Sequence, residues 1–454
     1  MIDFLSSIPL IGSPLVSILP FLVIITIVVF VHEYGHYIVG RWCGIHAEVF
    51  SVGMGPKLFS RKDKRGTVWQ IAAIPLGGYV KFLGDTNASS FPENIKNSSI
   101  DNEQSFFNNA SLISKTLTVL AGPIANFILS ILIFSILILW NGKQSNEPII
   151  GNINQELTKV YNIQKGDFIK SINGKEINLF SDIYSFIHND NDNDNENELT
   201  EYVLERNNHI IKTYGPFPTM PIIGSVMPVS PASSAGLKSG DIIVSYNDEL
   251  IGSFKQLQKL IINSETTKQK NITVLRKGKL ITLQISPQLR EFQNSSGEID
   301  KRISIGVSSA LAFTPMKENI NLYEALFFGF ERTFLVISQS ISQLSKIIIG
   351  EVGIKNLQGP IGIAHVSSDI AKSDISFFIP LIAIISTSIG FLNLLPIPIL
   401  DGGHLLMFAY EGITRRKPNQ KIINYSAILA ISALLTLMLF VSINDISRLI
   451  LFWQ

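Results

Sequence analysis

An H-E-x-x-H motif, formed by His32, Glu33 and His36, lies at the end of an uncharged stretch from Leu15 to Val31. On a helix, residues four positions apart share one face, with Cβ atoms about 5–6 Å apart, so both imidazoles can bind one metal ion. Glu33 can take a proton from water that the metal activates. Titratable groups beside a membrane segment are unfavourable unless a metal or a partner compensates them. The motif therefore predicts a hydrolytic metal site set into a bilayer.

The composition indicates an integral membrane protein. Hydrophobic residues make up 46% of the 454 residues and charged residues only 16%, a balance that favours an integral membrane protein over a soluble one. The net charge of +1 provides no basic surface for nucleic acid, so no such partner is expected. The single cysteine, Cys43, excludes an internal disulfide and a thiolate-pair metal site.

Four stretches are long and apolar enough to cross a hydrocarbon core, which needs ~20 residues. They are Leu15–Val39, Leu117–Trp140, Ile375–Leu400 and Ile422–Ile443. A fifth stretch, Leu322–Ile349, is interrupted by charged residues. It predicts an amphipathic helix that lies at the membrane interface or packs on the bundle. The expected fold is a polytopic protein of four transmembrane helices in a lipid bilayer.

Basic residues in the loops predict the orientation of these spans. They cluster in the loop between the first two spans and in the loop between the last two: Arg41, Lys57, Arg61, Lys62, Lys64, Arg65 and Lys81, then Arg415, Arg416, Lys417 and Lys421. With four spans, both loops share one side, which the positive-inside tendency makes cytoplasmic. The long region Asn141–Asp374 and both termini then face the extracytoplasmic side.

That long region contains an internal repeat. The segment Lys165–Gly174 aligns with Ser239–Asp248 at an offset of 74 residues, and each segment consists of a turn, a short apolar strand and another turn. Two copies at so long a period indicate duplicated domains rather than a solenoid. Pro216 and Pro218 mark the boundary between the copies.

The segment Glu48–Phe82 predicts hairpin structure directly after the metal motif. It alternates apolar and polar residues around glycines that include Gly77 and Gly78. An exposed strand edge there can hold a substrate in extended form through backbone hydrogen bonds, which makes both glycines candidate substrate-binding residues. A purely structural hairpin is the alternative.

A second polar site closes the third span, from Asn393 to His404. A catalytic zinc usually takes three protein ligands, so Asp401 is the natural third ligand beside the two histidines. The first and third spans both run inwards, which places their inner ends at similar depth. Asn393 can bind the substrate backbone or the developing oxyanion, with helix packing as the alternative.

Three further features surround this second site. Pro396 and Pro398 predict a break in the helix, and the glycine pair that follows Asp401 lets the backbone bend close to the metal. Such unwound backbone is tolerated where it lines a wet cavity enclosed by protein. Asn126 in the second span can face the site, but small-residue helix packing is the favoured explanation for it.

Together these motifs resemble the site-2 protease family (peptidase family M50), in its bacterial regulator-of-sigma-E type. The resemblance rests on His32-Glu-Tyr-Gly-His36, on the segment from Asn393 to Gly402 and on the double Gly-Asp repeat, in order along nearly the whole chain. It implies a Zn²⁺ cofactor bound by His32, His36 and Asp401, with Glu33 as general base. It implies a metalloendopeptidase that cuts transmembrane segments of single-pass membrane proteins, such as a pre-trimmed anti-sigma factor or remnant signal peptides, in regulated intramembrane proteolysis.

The resemblance also implies a domain organisation in the bacterial inner membrane, with the active site near the cytoplasm and two PDZ-like α+β domains in the periplasm. The second copy, which contains the segment Pro231–Asp241, follows the PDZ pattern and can capture peptide ends; the first copy lacks the usual Pro-Ala and Ala-Gly-Leu residues. The first expected region, 1–140, contains the first two transmembrane helices and a membrane-reentrant β region at 48–82. Two PDZ-like domains follow, at 147–217 and at 219–288. The region 289–374 contains the amphipathic helix, and 375–454 contains the last two transmembrane helices.

Two other functional classes fit parts of the pattern. A non-enzymatic membrane scaffold would use the PDZ-like domains to gather partners around a structural metal. A structural zinc site usually closes with four protein ligands, and only three are evident in the sequence. A metal-ion transporter would use the same residues to line a path, and it predicts zinc uptake into sealed vesicles.

Overall fold

The structure is a computed structural model that describes residues 12–84, 106–153, 161–189, 199–227, 230–264, 268–293, 299–351, 359–373 and 378–453. The chain divides into two compact units. The first unit combines Met1–Trp140 with Asn321–Gln454, and the second unit is Asn141–Ile320.

The helices belong mainly to the first unit. In chain order they are α1 (Gly12–Trp42), α2 (Leu112–Asn141), α3 (Phe180–Asn189), α4 (Pro231–Ser234), α5 (Phe254–Ile262), α6 (Leu322–Ile349), α7 (Pro360–Ser373), α8 (Phe378–Asn393), α9 (Asp401–Thr414) and α10 (Gln420–Trp453).

The strands form a hairpin in the first unit and several small sheets in the second. In chain order they are β1 (Ala47–Lys62), β2 (Val68–Phe82), β3 (Lys143–Gln144), β4 (Ile150–Ile153), β5 (Phe168–Ile172), β6 (Lys175–Glu176), β7 (Thr200–Arg206), β8 (His209–Gly215), β9 (Thr219–Val226), β10 (Ile242–Tyr246), β11 (Glu249–Leu250), β12 (Lys270–Arg276), β13 (Lys279–Ile285), β14 (Gln288–Gln293), β15 (Ile299–Ser304), β16 (Val307–Leu311), β17 (Phe313–Pro315) and β18 (Lys317–Glu318).

Within the described residues, three helical segments are long and apolar enough to cross a membrane: Ile18–Trp42, Leu112–Asn141 and Gln420–Ser447. The third predicted span contains α8, which has only 16 residues, and its predicted start falls partly outside the described residues. Helix α8 ends at Asn393 because Pro396 and Pro398 lack the N–H that a helix needs. The chain continues through short turns, including one from the Leu400 N–H to the Ile397 oxygen at 2.9 Å, before α9 begins.

Helix α6 has the bounds that the sequence predicts, and it packs on the helix bundle. It begins with a capping box, in which Asn321 and Glu324 each bind the other's backbone N–H. Gly329 lies against Ile131 and Ser135 of α2, so closely that a Cβ atom would overlap them. Small residues allow membrane helices to approach in this way.

Helix α7, which the sequence analysis did not predict, packs against α1. Its first turn is held by Asp445 of α10, whose Oδ2 accepts hydrogen bonds from the N–H groups of Gly359 (2.9 Å) and Gly362 (2.8 Å). Because the first N–H groups of a helix have no partner within the helix, a carboxylate from another helix can satisfy them.

The hairpin β1–β2 follows α1 directly, as predicted. Phe50 of β1 pairs with Trp69, near the start of β2, and also with Val80, near its end. The first and last residues of β2 therefore lie on opposite sides of β1. An aromatic cluster joins the hairpin to α1: the ring of Trp69 lies 4.3 Å from Phe50 and 5.1 Å from Tyr37. This packing fixes the position of the hairpin next to the helix that carries the H-E-x-x-H motif.

The second unit has two hydrophobic cores, one around Ile169, Tyr202 and Phe313 and the other around Ile243 and Ile272. The sequence repeat lies on equivalent strands of these cores. In the first copy Arg206 binds Asp167 at 2.7 Å, and in the second Arg276 binds Asp241 at 2.6 Å. Both aspartates have side chains only 1% exposed. The hydrogen bond to Asp241 raises the pKa of the Arg276 guanidinium.

The sheets of the second unit do not end at residue 288, where the expected second PDZ-like domain stops. Strand β16 pairs with β9, and β17 returns to pair with β4 near the start of the unit. Phe313 of β17 is 1% exposed and belongs to the first core. Each copy is therefore completed by a strand from residues 307–315.

Candidate metal centre

Three predicted ligand atoms from distant parts of the chain meet inside the first unit. Asp401 Oδ2 lies 3.2 Å from His32 Nε2 and 3.5 Å from His36 Nε2. The two histidine Nε2 atoms are 3.2 Å apart. Among the described residues, no further His, Cys, Asp or Glu joins this cluster. The structure thus brings together all three predicted ligands.

Local structure positions each of these groups. His32 and His36 lie one turn apart on α1, and Asp401 lies in the first turn of α9, where the partial positive charge of the helix end favours a carboxylate. Gly402 and Gly403 are packed under the turn that precedes α9: a Cβ on Gly402 would overlap the Leu394 and Leu395 oxygens. Their role is this close backbone packing.

The geometry of the cluster fits zinc. With zinc–ligand distances of about 2.0–2.1 Å, two ligand atoms of a tetrahedral site are about 3.3–3.4 Å apart, which matches the three distances. The Asp401 Oδ2 atom is buried and accepts no hydrogen bond, so it is free to bind a cation. Gly122 of α2 forms one wall, and a Cβ there would overlap His36. A glycine at this position lets α2 lie directly against the His36 ring.

Helix α2 also contacts the far side of both imidazoles. His36 Nδ1 donates to the main-chain oxygen of Thr118 at 2.9 Å. A carbonyl only accepts, so Nδ1 carries a proton and the lone pair lies on Nε2, which faces Asp401. Asn126 is fully buried, with its Nδ2 atom 3.2 Å from His32 Nδ1.

Glu33 lies between the cluster and the hairpin. Its carboxylate accepts a hydrogen bond from the Val80 N–H of β2. A Cβ on Gly78 would come within 2.9 Å of the Glu33 Cγ atom and 2.7 Å of the Ser51 oxygen, so the strand can approach α1 only because residue 78 is glycine. Gly77, next to it, has φ +139°, which strongly favours glycine.

Asn393, the last residue of α8, lies beside the cluster, with its Nδ2 atom 3.3 Å from His32 Nε2. The interpretation of Asn393 as a purely packing residue therefore does not account for its position. For Asn126 the sequence analysis favoured packing, whereas the structure places its amide against His32. Its spacing of four residues from Gly122, which keeps both on one helix face, is the signal that could have identified it.

The sequence comparisons agree with this geometry. The sequence model of Peptidase family M50 matches residues 20–439. A protein of Mesorhizobium japonicum named as a zinc metalloprotease is 31% identical over 441 residues, which cover 95% of this chain and 98% of that protein. Protease RseP of Yersinia pestis is 31% identical over 463 residues, covering 96% of this chain and 100% of its own. Regulator of sigma-E protease RseP of Escherichia coli is 28% identical over 456 residues, covering 94% and 98%.

These matches confirm the resemblance to the site-2 protease family, and the His-His-Asp cluster together with the named relatives confirms zinc as the cofactor. The similarity extends over nearly the whole length of both partners, so it covers the H-E-x-x-H helix and the segment around Asp401 together. The chain belongs to Peptidase family M50 and is a zinc metalloendopeptidase of the site-2 protease type.

Proposed function

We propose that the protein cleaves transmembrane segments of single-pass membrane proteins, with His32, His36 and Asp401 as zinc ligands and Glu33 as general base. The observation that carries this proposal is the convergence of three ligand atoms, two from the apolar helix α1 and one from the first turn of α9, within 3.2–3.5 Å of one another. An acidic side chain that is not part of the cluster, Glu33, lies next to them. Three protein ligands leave one coordination position open, which is the pattern of a catalytic zinc site.

In the proposed reaction, His32, His36 and Asp401 would hold the zinc ion, which would supply Lewis-acid polarisation of the scissile carbonyl and lower the pKa of water. Glu33 takes a proton from the attacking water and later transfers it to the leaving amine. The hydrogen bond from the Val80 N–H orients this carboxylate. The Asn393 amide, beside His32, donates to the oxyanion that develops on the carbonyl.

A substrate helix must unwind before attack, because its carbonyls are held in hydrogen bonds within the helix. The residues Gly78–Phe82 of β2 pair with β1 on one side, and no other described strand pairs with their other edge. We propose that an unwound substrate segment adds to this edge as a further strand. Gly77 and Gly78 serve this binding indirectly, since they let the strand lie against α1.

We further propose that the protein lies in the bacterial inner membrane, with this site near the cytoplasmic side and the second unit in the periplasm. Four spans, including α8, are part of this topology. The two copies in the second unit act as PDZ-like domains. A cavity of about 310 Å³ in the second copy is lined by Leu257 and Ile261 of α5 and by Ile303 and Val307, and its apolar walls suit the end of a peptide.

The test compares purified wild type with Glu33→Gln on a single-pass membrane reporter in lipid vesicles. Wild type should cut within the membrane segment, and the variant should lose about 10²- to 10⁴-fold in rate, the usual contribution of a general base. Zinc content should be equal in both proteins. Equal cleavage by both would overturn the assignment of Glu33 as general base, and no cleavage of the reporter by either would overturn the proposed substrate class. Mass spectrometry of membrane fragments that accumulate in cells with the variant would identify the substrate.

A further inference from the structure

Asn126 is a buried amide in the middle of α2 with an incomplete set of hydrogen bonds. Its side chain is 0% exposed. The Nδ2 atom lies 3.2 Å from His32 Nδ1, whereas the Oδ1 atom is buried and has no hydrogen-bond partner. A buried amide oxygen without a donor is unfavourable by about 1–3 kcal/mol. In the opposite orientation of the amide, the oxygen would lie beside His32 Nδ1 in place of the nitrogen.

The chemistry of His32 decides which orientation is correct. Its Nε2 atom faces Asp401 Oδ2 at 3.2 Å, and an imidazole nitrogen must be unprotonated to bind a metal. The proton of the neutral ring is then on Nδ1, which needs an acceptor. Rotating the Asn126 amide by 180° exchanges its oxygen and nitrogen, which occupy nearly the same volume. The oxygen then accepts from His32 Nδ1 and is itself satisfied.

The second histidine already has this arrangement. His36 Nδ1 donates to the Thr118 oxygen at 2.9 Å, and that acceptor lies on the same helix as Asn126. One helix would therefore supply an acceptor to each imidazole, one from its main chain and one from a side chain.

The backbone at Asn126 is tied to its surroundings. Its main-chain oxygen accepts hydrogen bonds from Ser130 at 3.0 Å and from Ser386 of α8 at 2.9 Å. Both serines are 0% exposed. The Ser386 bond joins α2 to α8, the helix that ends in Asn393. The amide is thus held at a defined position relative to His32.

We propose that Asn126 is a positioning residue: its amide oxygen accepts the Nδ1 proton of His32, and this fixes the ring with Nε2 directed at the metal. The inference rests on the proposed zinc site. A residue that only packs α2 against its neighbours would tolerate an apolar side chain of the same size. A positioning residue would not, because outer-shell acceptors affect metal affinity by about 10- to 100-fold.

The experiment measures zinc affinity of the full-length protein in detergent by competition with a chromophoric chelator. Asn126→Leu keeps the volume and removes the acceptor, Asn126→Ala removes both, and Asn126→Asp keeps an acceptor oxygen. Ser135→Ala is the matched control: Ser135 is also buried on α2, nine residues further on, or about 13 Å along the helix axis. The melting temperature of each metal-free protein separates loss of fold from loss of binding.

We expect Asn126→Leu and Asn126→Ala to bind zinc about 10- to 100-fold more weakly than wild type, and Asn126→Asp and Ser135→Ala to bind it with near wild-type affinity. Wild-type affinity in Asn126→Leu and Asn126→Ala would overturn the inference. A loss in Asn126→Asp equal to that in Asn126→Leu would show that the oxygen is not an acceptor. His36→Ala tests the zinc site itself: if it binds zinc as wild type does, the proposed ligand set is wrong, whatever the Asn126 variants do.

Discussion

Gly122 and His36 lie in direct contact across the α1–α2 interface, with no room between them for a methyl group. The contact lies on the side of the imidazole that faces the cluster, since the nearest His36 atoms to the missing Cβ are Nε2 and Cε1. A glycine on α2 is therefore part of the metal centre although it has no side chain to offer.

Replacing Gly122 with alanine should strongly weaken zinc binding. The added methyl group overlaps the ligand atom of His36, so either the ring or α2 must move away. We expect a loss of affinity of more than the roughly 100-fold produced by outer-shell changes, measured by chelator competition. Gly412→Ala on α9 is the control, because its nearest neighbour would be 3.2 Å away in a flexible leucine side chain. Equal losses in both variants would contradict the assignment of Gly122 to the site.

Asp401→Asn should lower zinc occupancy while the fold is retained. The substitution keeps the shape of the side chain but removes the negative charge that attracts the cation. Elemental analysis of the purified protein measures the effect. Glu411→Gln changes a carboxylate on the same helix and should leave zinc content unchanged. Normal zinc content in Asp401→Asn would remove this residue from the ligand set.

Gly78→Ala should slow cleavage while zinc remains bound. The Cβ would lie 2.9 Å from both Glu33 Cγ and Val29 Cγ1, so the carboxylate or the strand must shift by a few tenths of an ångström or more. Misplacement of a catalytic group by about 1 Å can reduce the rate about 100-fold, and we expect a reduction of about 10- to 100-fold in the vesicle assay.

The control for this hairpin is Lys62→Ala, at an exposed position at the end of β1, which pairs with Val68 and not with Gly78–Phe82. Its cleavage rate should remain near that of wild type. If Gly78→Ala cleaves at the wild-type rate, the close packing of β2 on Glu33 has no part in catalysis.

Arg276→Ala should destabilise the second unit without affecting zinc. It leaves the Asp241 carboxylate, which is 1% exposed, without its charged partner, and breaking such a pair costs about 3 kcal/mol. Limited proteolysis in increasing urea should cut this unit at a lower urea concentration than in wild type. Lys279→Ala, at an exposed position on the adjacent strand, should behave as wild type; the same shift in both variants would exclude a specific role for the ion pair.

Much of the architecture could be predicted because local rules govern it. Uncharged runs of membrane length predicted four spans, and three of them correspond to helices long and apolar enough to cross a membrane among the described residues. The charged interruptions of Leu322–Ile349 distinguished that helix from them. The alternation and glycines of residues 48–82 predicted the hairpin. Helix α7 was missed because a polar, 14-residue segment has no strong periodic signal, and its first turn depends on Asp445, which lies 86 residues from Gly359. The strands of residues 307–315 were missed because their partners, β9 and β4, are also distant in the chain.

The three residues of the His-His-Asp cluster, and Glu33 beside it, could be proposed as site residues from the sequence, since H-E-x-x-H on a helix and an acidic residue after a broken span each have a chemical meaning at short range. Which groups surround them was decided only by folding. The Thr118 oxygen, the Asn126 amide, the Val80 N–H and the space at Gly122 are ordinary backbone or small side chains that acquire a role when α2 and β2 pack against α1. Spacing along a chain constrains contacts within one helix or hairpin, whereas contacts between elements depend on burial and shape complementarity, which no local pattern encodes.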